Sequence, residues 1–82
     1  MKKMIWAGMN APSEADKKWA EANGFQLEWN MKVAEILQIS DCKERSAKLR
    51  ELADCMDAGI VTSSRRVVRD LEKMEKSVKE VI

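Results

Sequence analysis

From Val67 to the end of the chain, apolar residues return at Val67, Leu71, Met74, Val78 and Val81, spaced four, three, four and three. That period belongs to one face of a helix, and it continues long enough to make a two-heptad seam. Val68 and Ile82 widen it, while Glu72 with Lys76 and Glu75 with Lys79 set each acid four residues before a lysine, the favourable orientation on a helix. The spacing predicts a helix from about 63 to near the C-terminus. Upstream, Asp41 with Glu44 offers an acidic form of the capping box. Cys42, Leu49, Leu52, Ala53 and Met56 then gather within about a 100° arc. A helix over 41–57 follows, with Asp57, Ala58 and Gly59 as its stop and Gly59 as the left-handed terminal residue. The short 58–62 connection folds the two helices into an antiparallel αα-hairpin.

The N-terminal half is less periodic. Ser13 can cap a helix with Asp16 three residues on, Pro12 and Glu14 suit its first turn, and Asn23 and Gly24 end it after about ten residues. Trp19 is its one large anchor. Phe25, Leu27, Trp29, Met31 and Val33 alternate as in a half-buried strand, whereas Phe25, Trp29, Val33, Ile36 and Leu37 repeat as in a helix. Length favours the helix, because nothing breaks the run before Ser40. The alternative is a strand over 25–31 paired with Met4–Ala7, and two strands alone are marginally stable. The expectation is an all-α fold of three to four helices in a single domain, 1–82. Residues 1–11 form an irregular or short extended segment, 12–39 the N-terminal helices and 41–82 the hairpin. No internal repeat or low-complexity tract divides the chain.

Size and composition narrow the chemistry. A domain of 82 residues buries only about 60 to 65 per cent of the surface of its unfolded chain, which leaves no room for a large enzyme's deep cleft. The chain has no His, so imidazole catalysis and His-containing metal sites are excluded. Gly8, Gly24 and Gly59 are isolated and build no phosphate-cradling loop. The acid pairs Asp54 with Asp57 and Glu72 with Glu75 are not joined by a second cluster into a hard-cation cage. The expectation is a chain that is not an enzyme, with no catalytic residue, no cofactor and no metal.

The apolar run of Met4, Ile5, Trp6 and Ala7 behind Lys2 and Lys3 is too short for a signal peptide, and no segment approaches the roughly 18 apolar residues of a membrane span. Cys42 and Cys55, 13 positions apart on one helix, would stand about 20 Å from each other at roughly 1.5 Å per residue, too far to bridge. Two unpaired thiols suit a reducing compartment, and both read as small hydrophobes in or beside the packing surface. The expected location is cytoplasmic.

Three surfaces are candidates for recognition. Lys32–Ser40 looks like the first helix and turn of a helix-turn-helix, but Gln38 stands where Gly is usual, and Glu44 and Arg45 where an apolar residue is needed, so the motif over 32–50 is degenerate. Arg65, Arg66, Arg69, Lys73, Lys76 and Lys79 form a basic stripe opposite the seam, broken only by Glu72 and Glu80; such a stripe holds phosphates or an acidic protein, or is simply a solvated face. Of Trp6, Trp19 and Trp29, most serve the core, and Trp6, in an uncapped terminal segment, is the candidate exposed anchor.

The candidate interaction residues are therefore Trp6, Arg65, Arg66, Arg69 and Lys73. Leu49, Leu52, Met56, Val67, Leu71, Met74 and Val78 form the core or a homodimer seam, since a second copy would add burial to a marginal domain. The net charge of +1 weighs against nucleic acid as the main partner. The expected function is a non-enzymatic protein-protein interaction module, an adaptor, inhibitor or regulatory subunit, a profile shared by small accessory proteins of phages and mobile elements. The alternative is a nucleic-acid-binding regulator that uses the basic face or the 32–50 segment.

Overall fold

The computed structural model of the chain describes every residue except Met1, Lys76 and Ile82. Strands and helices alternate as β1 (Lys2–Trp6), α1 (Glu14–Ala22), β2 (Phe25–Glu28), α2 (Met31–Leu37), α3 (Cys42–Cys55), β3 (Gly59–Thr62), α4 (Arg65–Glu72) and β4 (Val78–Glu80). The strands form one sheet in the order β2-β1-β3-β4, with every neighbouring pair parallel. The fold is α/β and doubly wound; the all-α expectation, and with it the αα-hairpin over 41–82, is overturned.

The reason lies in what a parallel strand looks like in sequence. Strands of a parallel sheet are buried on both faces, so they appear as short continuous apolar runs rather than alternations. Met4-Ile5-Trp6-Ala7 is such a run, and Ile60-Val61 is another that lies inside the connection expected to be a helical turn; all six residues are buried. Over 25–28 the strand alternative holds, paired with β1 in the register Lys2↔Phe25 to Ile5↔Glu28, and only 31–37 of the expected helix forms.

The seam that predicts one long helix belongs to three pieces. Val67 and Leu71 sit on α4, a turn follows in which Glu75 has φ 56°, and Val78 lies on β4. Val78 reaches the same core as Val67 and Leu71 from a strand instead of from the next helical turn. Glu75 with Lys79 is therefore not a helical pair, and Lys76 and Ile82 lie outside the described residues.

The helix ends read better. Ser13 and Asp16 make the full capping box at α1, and Asp41 caps α3 by accepting from Glu44 N at 3.1 Å. Asn30 and Ser64 cap α2 and α4 in the same way. The left-handed residue behind α3 is Asp57, φ 49°, and not Gly59, which opens β3 with the Met4 thioether folded over it: a Cβ at Gly59 would stand 2.6 Å from Met4 Cε.

Two apolar layers flank the sheet. On one face Ile5, Ala7 and Ile60 pack with Val33 and Leu37 of α2, Leu49 and Ala53 of α3, and Val67 and Leu71 of α4. On the other, Met4, Trp6, Phe25 and Val61 are covered by α1 through Ala20, with Trp19 edge-on to Phe25 at 5.4 Å between ring centres. Among the described residues no helix is long and apolar enough to cross a membrane.

Candidate functional site at the carboxyl end of the sheet

In a doubly wound sheet, successive strands are added first on one side of β1 and then on the other, and ligands bind outside the carboxyl ends of the strands where that order reverses. Here the reversal lies between β1 and β3, and the segments leaving the carboxyl ends of β1, β2 and β3 are residues 7–13, 29–31 and 62–64.

The β1 segment is held from several sides. Ala7 N donates to Val61 O at 2.7 Å, and the Thr62 hydroxyl, fully buried, donates to Ala7 O at 2.9 Å while accepting from Ser64 N at 3.0 Å. Two indoles fix the next turn: Trp29 Nε1 donates to Gly8 O at 2.8 Å, and Trp6 Nε1 donates to Asn10 O at 3.0 Å. Gly8 is required by this arrangement, because a Cβ there would stand 2.4 Å from Trp6 Nε1. A loop fastened in this way loses little conformational freedom on binding.

None of the residues 7–13, 29–31 and 62–64 is charged, in a chain whose residues are 35% charged. The two large hydrophobic side chains that stand exposed among the described residues are both here, Met9 at 50% and Met31 at 66%. Asn10, Asn30 and Ser63 are exposed beside them, and charge returns only at the periphery, in Glu14, Glu28, Lys32, Arg65 and Arg66. An uncharged centre with two exposed methionines and the half-buried Trp29, inside a charged rim, has the composition of a protein interface.

The sequence-derived candidates are distributed otherwise. Trp6 is 6% exposed and serves as a prop beneath the loop, so it does not present the exposed anchor assigned to it. Arg65 pairs with Glu80 at 3.4 Å, Arg66 and Arg69 are exposed on α4, and Lys73 is exposed at its C-cap. Lys79 has left that stripe for β4, where its ammonium lies 5.6 Å from the centre of the Phe25 ring. Leu49, Val67 and Leu71 are buried core, Leu52, Met56 and Val78 pack at its margin, and Met74 is half-buried beside Arg50 and Asp54. Cys42 and Cys55 are both exposed, not in the packing surface. The segment 32–50, read as a degenerate helix-turn-helix, is the α2–α3 crossover, and Arg45, where an apolar residue was wanted, is itself buried.

Met9, Met31 and the asparagines escaped the sequence reading. The available signal was the absence of charge from three short segments, which means nothing until the topology brings them to one end of the molecule. No protein-family model, curated protein or solved structure matches the chain.

Proposed function

We propose that the chain is a non-enzymatic interaction module that binds and modulates a protein partner through the carboxyl end of its sheet. The observation that carries this reading is the uncharged surface of the three segments, with Met9 and Met31 exposed on it. Burial of an apolar side chain contributes about 1.5 to 3 kcal/mol, and methionine adapts its shape to the surface it meets. The fastened 7–10 loop supports the same reading, since a preformed surface favours affinity.

The test is affinity capture from the source cell with the wild type, a Met9→Glu/Met31→Glu double variant, and an Arg66→Ala/Arg69→Ala/Lys73→Ala triple variant. A protein retained by the wild type and the triple variant but lost by the double variant is the expected result. Exposure of Arg66, Arg69 and Lys73 favours a second reading, binding of nucleic acid along α4. That reading expects a duplex mobility shift that falls with salt and disappears in the triple variant. A partner lost only by the triple variant would refute the carboxyl-end reading.

A further inference from the structure

The order β2-β1-β3-β4 leaves two open edges, and they are not alike. In a parallel ladder each residue turns its N–H and C=O to the same side, alternating along the strand. Lys2 N donates to Gly24 O, so Gly24, Gln26 and Glu28 face β1, and the N–H and C=O groups of Phe25 and Leu27 face outward. Val81 N donates to Thr62 O, so Lys79 faces β3, and Val78 and Glu80 are the outward residues of β4.

Open edges invite pairing, and proteins blunt them with short strands, lysine, proline or bulges. β4 is three residues long and carries Lys79 and Glu80. Two copies of β4 paired antiparallel about a two-fold axis normal to the sheet would set Val78 against Glu80 of the partner subunit, and Lys79 against Lys79 of the partner subunit. One step of sliding would oppose glutamate to glutamate. Like charges directly opposite each other are destabilising.

β2 is also short, at four residues, but it carries no lysine and no proline. Its residues are Phe25-Gln26-Leu27-Glu28, and its one charge, Glu28, already lies 3.8 Å from the Lys3 ammonium. The same two-fold operation sets Phe25 against Leu27 of the partner subunit, with both N–H and both C=O groups of each pair in bonding position. Gln26 then meets Gln26 of the partner subunit on the other face, as a non-hydrogen-bonded pair with Cα atoms about 4.5 Å apart. Gln26 is exposed there, so nothing occupies the space its counterpart needs.

We infer that two copies of this chain associate through β2, antiparallel across a two-fold axis at Gln26, to give one continuous eight-stranded sheet. The contact is isologous, as expected of a closed dimer. The strand is short, so association falls in the micromolar range rather than tighter. Pairing at β2 leaves the carboxyl end of each sheet uncovered, so partner capture and self-association are separately measurable.

Sedimentation equilibrium of the full chain from 10 to 500 µM tests it, with Gln26→Lys and Gln26→Glu alone and mixed. A wild-type dimer, at least tenfold weaker in each charge variant and restored in the equimolar mixture, is the expected result. At protein concentrations too low to populate the dimer, both variants should keep the wild-type urea midpoint, because Gln26 is exposed. As a second readout, Gln26→Cys in a Cys42→Ser/Cys55→Ser background should form an intermolecular disulfide on mild oxidation. A chain monomeric to 500 µM, or a dimer unchanged in both charge variants and not cross-linked through position 26, overturns the proposal.

Discussion

The guanidinium of Arg45, on α3, ties the α2–α3 connection to α4: one of its NH2 groups donates to Ile39 O at 2.9 Å, and the other binds the carboxylate of Asp70 on α4. The side chains are 4% and 14% exposed. Removing one member of such a pair leaves a buried charge without its partner and costs about 3 to 5 kcal/mol, whereas replacing both with apolar residues of similar volume is often neutral. Arg45→Ala and Asp70→Ala should each lower the free energy of unfolding by roughly 3 kcal/mol. Arg45→Met/Asp70→Leu should recover most of it. Urea denaturation of the four chains checks this, and equal losses in the single and double variants would show that the pair does not hold α3 to α4.

Trp29→Phe removes the donor to Gly8 O, a loss of about 1 kcal/mol, together with one ring of an indole packed against the core, which adds to it. Partner affinity should fall further than stability does, because the 7–10 loop it fastens belongs to the proposed interface. Thermal unfolding and a binding isotherm measured on one preparation separate the two.

Thr62→Val is close in shape but strips a fully buried hydroxyl that both donates to Ala7 O and serves Ser64 N as acceptor. One buried and one part-buried backbone group lose their partner, and about 2 kcal/mol of stability should go with them. A chemical denaturation midpoint within error of the wild type would contradict this account of the β1–β3 end.

Two turn positions should respond with opposite signs. Gly24 has φ +83° and open space where a Cβ would go, so Gly24→Ala meets only the backbone penalty, about 1 kcal/mol. Asp57 sits at φ 49°, and Asp57→Gly should stabilise by about 0.5 to 1 kcal/mol. Differential scanning calorimetry resolves shifts of this size in a domain this small.

Both cysteines are exposed, so the folded protein should titrate two thiols with a disulfide reagent without denaturant. A single reactive thiol would place one of them in the packing surface after all.

Local chemistry carried much of this fold into the sequence. Ser13 with Asp16, Asp41 with Glu44, and Asn23 before Gly24 mark helix ends by groups within a few residues of each other, and those boundaries stand. What was hidden is non-local. Ile60 and Val61 become a strand only because Met4, Ile5 and Trp6 lie beside them, and no spacing inside 58–62 announces it. Val67, Leu71, Met74 and Val78 misled for the converse reason: a core can be reached from a helix and from a strand at intervals that imitate one helix. The candidate site was least legible of all, since Met9 and Met31 share a surface only through the parallel order of β1 and β2.

Ala7 and Thr62 are joined across 55 positions, and Gly8 and Trp29 across 21. Strand β1 is thus an interior strand of the sheet, flanked on one side by β2 and on the other by β3. β2 can cover one of its edges over a short stretch of chain, but the other stays open until residues 59–62 return to it. Topologies dominated by such distant pairings fold slowly for their length. For so small a protein, refolding should be governed by the search that brings 59–62 back to 2–6, and substitutions in those two segments should slow folding more than those in α1, whose contacts form over a short loop.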